Sequence, residues 1–290
     1  MSLPAPIRRE IVARTVSVSE AIEEIPDGSR VFIGAGAGEP LALADAVAAR
    51  AAAKKLHLLF GFSLRRPPDI PAAGIPLCSY LHVGYRQASE MEKGGIEWIP
   101  STAESAAGWI GTGRLAVDAA LIQVHPGDAH GQYSLGTAVD FTKKAVEMAQ
   151  CVIALVNPFV PRTHGQSFVE WRKIHRFVRR EEPLPEVVSR SADAAVEEEI
   201  ARNVILLIPD GSTLQLGFPR VPRQLLSRLA TRRDLGIHSL LVSDWVMELL
   251  ENGNVTNARK GFAPGKVTAS CALGSRRFYE YLHDSPAFDF

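Results

Sequence analysis

One four-residue string occurs twice in this chain and constrains its architecture more than any other feature. Pro26-Asp27-Gly28-Ser29 returns as Pro209-Asp210-Gly211-Ser212, and Gly34 and Gly217 stand at the same distance after each copy. The first copy leads into an apolar run at 30–33, a small-residue loop, a helical spacing over 41–53 and a second apolar run at 56–60. The second leads through a run ending at 216, then Gly217 and Pro222, into a helix through 229 and a strand around 239–242. A strand, loop, helix and strand in that order form the unit of a parallel sheet, because parallel strands need a long crossover. The repeat therefore predicts an α/β protein made of two related open-sheet halves. With 290 residues, two domains are expected, 1–208 and 209–290.

Other parts of the chain fit the same class. Short apolar runs at 78–83, 96–100, 119–124 and 152–156 read as buried strands, and 17–24, 141–150 and 193–203 read as helices. Lys+Arg and Asp+Glu both number 32, so no basic field points to nucleic acid. Cys78, Cys151 and Cys271 are odd in number and lie far apart, which fits reduced thiols better than a disulfide frame. The first ten residues hold no apolar signal core. The alanine-rich run 41–53 is broken by Asp45 and Arg50, so a membrane span is not expected. A cytoplasmic protein is the expectation.

Several strings are specific enough to suggest a family. Asp210-Gly211-Ser212-Thr213-Leu214-Gln215-Leu216-Gly217 is followed by Gly236-Ile237-His238-Ser239 and then Ser243-Asp244. Upstream stand Asn157-Pro158, Pro161-Arg162-Thr163-His164-Gly165, the loop from His125 to Gly136 ending Ser134-Leu135-Gly136, and the acidic, proline-rich Glu181-Glu182-Pro183-Leu184-Pro185-Glu186. Together they resemble the acetyl-CoA hydrolase/transferase family, the fused-chain branch of the family I CoA-transferases, including 4-hydroxybutyrate and butyrate:acetate types. The resemblance covers nearly the whole chain. It implies two related α/β halves, an acyl-CoA thioester and a carboxylate as substrates, coenzyme A carried as part of the substrate, and no covalently bound cofactor.

It also implies a reaction that this chain departs from. In the family a glutamate directly after the His-Thr pair attacks the thioester, giving an acyl-glutamyl anhydride and then a glutamyl-CoA thioester. The residue at that place is Leu240, which has no lone pair to offer. The nearest carboxylates by motif are Glu39 and Asp244, the two candidates for a remodelled base. Trp245 stands where the family has a glycine, and Pro219 and Arg220 replace small residues in the loop after Gly217. The family continues past 273–279 into a segment with a glycine-rich loop that helps bind CoA. The second half is therefore expected to be incomplete: either the chain is a truncated relative or another polypeptide supplies the rest, and a homo- or hetero-oligomer is the expected form.

For substrate or CoA contact the candidates are Gly34, Gly36, Gly38, Gly217, Arg220, His238 and Ser239. A glycine-rich loop between strand and helix can cradle a pyrophosphate on backbone N–H groups. The competing reading is tight packing of strand against helix, and the glycine spacing does not fit a dinucleotide fingerprint. His125, Asp128 and His130 are metal-ligand types, but they sit in a turn-forming loop without a third strong ligand, so no metal is expected. The absence of a Gly-x-Ser-x-Gly elbow argues against a serine hydrolase. Two functions stay open: an acyl-CoA-processing chain of an assembly, or a non-catalytic paralogue that stabilises or regulates a catalytic partner.

Overall fold

The structure, a computed structural model, describes residues 3–64, 99–187, 194–216 and 223–290. The strand expectation at 78–83 and most of that at 96–100 lie outside these residues. Two compact units emerge: 1–160 with 167–184, and 161–166 with 185–290.

The first unit opens with α1 (Ala5–Ala13) and α2 (Val18–Glu23). Helix α2 begins at a reciprocal cap: the Ser17 hydroxyl accepts from the Glu20 N–H, and the Glu20 carboxylate accepts from the Ser17 N–H at 2.8 Å. Then come β1 (Arg30–Ile33), α3 (Leu41–Ala51), β2 (His57–Phe60), α4 (Ala103–Gly111), β3 (Ala119–Val124), β4 (Gln132–Ser134), α5 (Thr142–Met148), β5 (Cys151–Val156), β6 (Phe168–Glu170) and β7 (Arg176–Arg179). Five strands form one sheet in the order β2-β1-β3-β5-β7, every pairing parallel. The middle strand β3 is buried at all six positions, the pattern of a parallel sheet covered on both faces. On α3, Leu43, Ala44, Val47, Ala48 and Ala51 are buried at helical spacing and join Val31, Ile33, Leu58 and Leu121 in the core. The alanines let that helix sit close to the strands.

The second unit contains α6 (Ala194–Ile205), β8 (Thr213–Leu214), α7 (Arg223–Leu229), β9 (Gly236–Val242), α8 (Asp244–Glu251), β10 (Val267–Ala272), α9 (Arg276–Leu282) and β11 (Phe288–Asp289). Its sheet runs β11-β10-β9-β8, again all parallel. The segment 161–166 belongs to this unit because it pairs with the chain's last residues. Arg162 donates to Asp284 at 2.6 Å, and Phe290 N–H donates to the His164 carbonyl at 3.1 Å. Gly165 has φ +87°, and a Cβ there would lie 2.4 Å from the Asp289 carboxylate and 2.5 Å from the Phe290 carbonyl. Those contacts are a physical reason for glycine at the end of the Pro-Arg-Thr-His-Gly string.

The repeated tetrapeptide folds the same way twice. Gly28 and Gly211 take φ +78° and +81°, a region where side chains are strained. The Ser29 hydroxyl donates to the Pro26 carbonyl at 2.6 Å, and Ser212 does the same to Pro209 at 2.7 Å. Gly28 N–H reaches the Lys54 carbonyl and Gly211 N–H that of Arg233. The carbonyls of Ser29 and Ser212 then receive the N–H that starts β2 or β9, from His57 and Gly236. In each unit the turn fixes the register of one parallel pair, β1 with β2 and β8 with β9. The next strand is placed differently: β3 lies on the far side of β1, whereas β10 lies beside β9, leaving β8 at a sheet edge among the described residues. No helix among the described residues is long and apolar enough to cross a membrane.

Candidate functional site

In open α/β sheets ligands bind outside the carboxyl ends of the strands, and the small-residue loop stands there, directly after β1. Its residues 34–38 are buried, with one turn of tight helix at Gly36–Gly38. The Gly34 N–H donates to the Leu121 carbonyl, Gly36 to Phe62, Gly38 to Ala35 and Glu39 to Gly36. Those four amides are engaged inside the protein. A Cβ on Gly38 would meet the Ala138 methyl at 2.8 Å, and one on Gly34 would meet the Gly38 carbonyl at 2.9 Å. The structure thus shows close packing at Gly34 and Gly38 and engaged amides at Gly34, Gly36 and Gly38.

A buried amide network holds the loop from below. Gln123 on β3 donates toward the Ala37 carbonyl at 3.3 Å, and its own carbonyl accepts from Asn157 at 3.1 Å. Asn157 also donates to the Glu182 carbonyl at 2.7 Å. Gln123 is a buried polar side chain that sequence pattern did not single out, since it sits inside an apolar strand, whereas Asn157 stood out only as the start of a string. Beside the loop, Glu39 is 1% exposed and accepts from the Ser63 hydroxyl at 2.6 Å. The Thr137 hydroxyl, near Gly38, is buried without a hydrogen-bond partner.

In the second unit, β9 carries the other candidates on alternating faces. His238 is exposed and stacks on Phe262 with ring centroids 5.8 Å apart. Ser239 is buried, accepts from the Leu216 N–H at 3.3 Å, and lies 3.0 Å from the Leu216 carbonyl and 2.9 Å from that of Leu241. Its hydroxyl thus ties the chain after β8 to the middle of β9, beyond the last β8–β9 pairing at Leu214 and Ile237. Leu240 is half-buried within the strand, two residues before its carboxyl end. Gly217 and Arg220 lie outside the described residues.

Asp244 opens α8, a position where a carboxylate complements the helix dipole. It accepts from the Ser275 N–H at 3.0 Å and from the Ser275 hydroxyl. Ser275 is itself the cap of α9, accepting from the Phe278 N–H. One carboxylate therefore joins the starts of two helices. Gly274 fits because a Cβ there would lie 2.3 Å from that carboxylate. Next to it, Trp245 is 7% exposed, and burial pushes the Tyr279 phenol, which donates to the Pro185 carbonyl, up to about 12.

The loop from His125 to Gly136 forms a turn. The Asp128 carboxylate accepts from the His130 and Gln132 N–H groups at 2.8 and 3.0 Å, and a His125 ring nitrogen lies 2.7 Å from the Val160 carbonyl. Among the described residues no group of three or more His, Cys, Asp or Glu side chains could hold a metal ion.

Known proteins share this fold. Residues 77–188 match the family described as the acetyl-CoA hydrolase/transferase N-terminal domain. The 4-hydroxybutyrate coenzyme A transferase of Clostridium kluyveri is 32% identical over 94% of this chain and 64% of its own length. The succinyl-CoA:acetate/propanoyl-CoA:succinate CoA transferase of Fasciola hepatica is 30% identical over 91% of this chain and 56% of its own length. The crystal structure of RipA from Yersinia pestis superposes with a TM-score of 0.86 at 28% identity, covering 98% of this chain and 69% of that one. The chain thus spans less than two thirds of the length of these two sequence relatives.

Proposed function

Because the chain belongs to the acetyl-CoA hydrolase/transferase family, we propose that it handles acyl-CoA thioesters and short carboxylates as one polypeptide of an assembly. On this reading it does not itself form a glutamyl-CoA thioester. The observation that carries the proposal is the aliphatic Leu240 on β9, at the place the family resemblance gives to the nucleophile. Neither alternative carboxylate is idle in its own unit: Asp244 holds Ser275, and Glu39 accepts from Ser63. A nucleophile needs an accessible lone pair, and such bonds compete for it. Among the described residues given ligand contact by the resemblance, His238 keeps an exposed side chain, which supports a contact with the thioester there.

Two features of the second unit support an assembly. Among the described residues strand β8 is a short open edge, where β1 in the first unit is flanked by β3. An open edge is a template for another strand. Helix α6 and the residues after it expose Val196, Ile200, Leu206 and Leu207, the last at 82%, apolar surface of the kind that marks a contact face. A non-catalytic paralogue that steadies a catalytic partner is the second reading, favoured by the same engagement of Asp244 and by the buried Trp245.

The test is CoA exchange between acetyl-CoA and butyrate by the purified chain, alone and with proteins that co-purify with it. No exchange by the chain alone is expected, with exchange appearing when the complementing polypeptide is present. Turnover by the chain alone with a hydroxylamine-sensitive glutamyl adduct on it would overturn the proposal. A partner that exchanges CoA without this chain, but whose stability or rate changes when the chain is added, selects the paralogue reading.

A further inference from the structure

A cavity of about 660 Å³ opens in the first unit at the carboxyl ends of β5 and β7. Its volume lies within the range of small-molecule sites, and the carboxyl ends of parallel strands are where such folds place ligands. Helix α1 forms one wall with Ile11 and Val12, and Phe177 on β7 adds to the apolar surface. Val12 is 59% exposed, a large apolar side chain left open to this space. The wall is firmly held: Val16 N–H donates to the Phe177 carbonyl, Phe177 N–H donates to the Arg14 carbonyl, and the Arg14 guanidinium stacks 5.2 Å from the Trp171 ring.

The rim is cationic. Arg8, Arg179 and Arg180 line it, none with an ion-pair partner among the described residues, against the single carboxylate of Glu181. A second observation concerns Tyr133, which also lines the cavity. It is 4% exposed, packs on Phe177 at 5.3 Å between ring centroids, and its hydroxyl has no hydrogen-bond partner among the described residues. Gly127 leaves room for that ring, since a Cβ there would lie 2.6 Å from it. A phenol hydroxyl at a cavity wall that bonds nothing in the protein is a donor available to a ligand. Guanidinium forks match carboxylate geometry, and the adjoining surface is aliphatic and aromatic.

We propose that this cleft binds a medium-chain monocarboxylate, its head group on the Arg8, Arg179, Arg180 and Tyr133 donors and its alkyl chain along Ile11, Val12 and Phe177. The site lies within the first unit and does not depend on the acyl-transfer reading. Titration calorimetry with the 290-residue chain tests it, using octanoate, 1-octanol for the same tail without charge, and acetate for the same charge without a tail. Saturable binding of octanoate is expected, with octanol and acetate each weaker by about tenfold or more, because loss of a charge-assisted bond or of several buried methylenes removes that much. The double variant Arg179→Ala/Arg180→Ala should weaken octanoate about tenfold or more, and Tyr133→Phe about two- to tenfold. Arg233→Ala, in the other unit, should leave it unchanged. Both arginines are exposed and the phenylalanine keeps the ring, so the variants are expected to fold. Octanoate that fails to saturate, octanol binding as tightly as octanoate, or full affinity in the double arginine variant would each overturn the proposal.

Discussion

Replacing Asp244 by alanine separates a carboxylate that holds the fold from one that performs chemistry. The substitution removes the acceptor for two donors on Ser275, its N–H at 3.0 Å and its hydroxyl, and the negative charge at the start of α8. A hydrogen bond to a charged group contributes about 1.5–3 kcal/mol, and both partners are half-buried, which argues for the low end. The helix-dipole contribution is about 0.3–1 kcal/mol. The sum is about 3 kcal/mol, shared between α8 and α9 because Ser275 also caps the latter. Urea unfolding, with hydrogen exchange followed across both helices, measures it. Asp244→Asn keeps one acceptor oxygen and should cost about half as much. In a cycle with Ser275→Ala the losses should be non-additive by about 1.5 kcal/mol, the one hydroxyl bond both changes remove, since alanine keeps the residue-275 N–H on Asp244. A loss below about 0.5 kcal/mol in Asp244→Ala, or additivity with Ser275→Ala, would refute the latch and return Asp244 to the list of catalytic candidates.

Three further outcomes are expected. Leu240→Glu by itself should not produce CoA exchange, because a carboxylate added to β9 does not change the buried Trp245 that follows in the chain, nor the β8 edge, open among the described residues; robust exchange in that single variant, measured against acetyl-CoA and butyrate, would show the remaining site to be intact. Gly165→Ala should destabilise by about 2 kcal/mol or more, since its Cβ meets backbone at the Phe290 carbonyl, whereas Gly253→Ala, with φ +73° and open space around it, should cost only the left-handed strain of about 1 kcal/mol; equal losses in denaturant titrations would contradict the clash. The bonds from the Ser17 hydroxyl and N–H hold the Glu20 carboxyl below its ordinary 4.5. The stability it contributes is therefore present above that value and lost as pH falls through the lowered one, so Glu20→Gln should show a shallower stability decline on acidification than the parent chain, and parallel declines would count against the cap.

Much of the architecture was legible in the residues themselves. The Pro-Asp-Gly-Ser pair announced two like turns because Gly at a positive φ and a serine hydroxyl reaching back three residues are local chemistry, set by neighbours in the chain. The apolar runs at 119–124 and 152–156 became β3 and β5 for an equally local reason: a strand buried on both faces has no polar alternation to hide. Elements such as β7, β10 and α1 escaped because Arg176-Phe177-Val178-Arg179, Val267–Ala272 and Ala5–Ala13 carry weak periodicity, and their state comes from partners distant in sequence. The family was also readable, since Asn157 through Gly165 is a specific string.

What each candidate side chain touches could be decided only in three dimensions. That Gly34 and Gly38 face a carbonyl and a methyl, and that Ser239 answers to Leu216, depends on which strands lie side by side. Asp244 reads as a free acid along the chain; it becomes a latch because β10 places Ser275 next to the start of α8. Residue type fixes what a side chain can donate or accept, and that much the sequence determined. Whether a donor or acceptor is left over for a ligand depends on contacts between residues far apart in the chain, and the tertiary structure decided it.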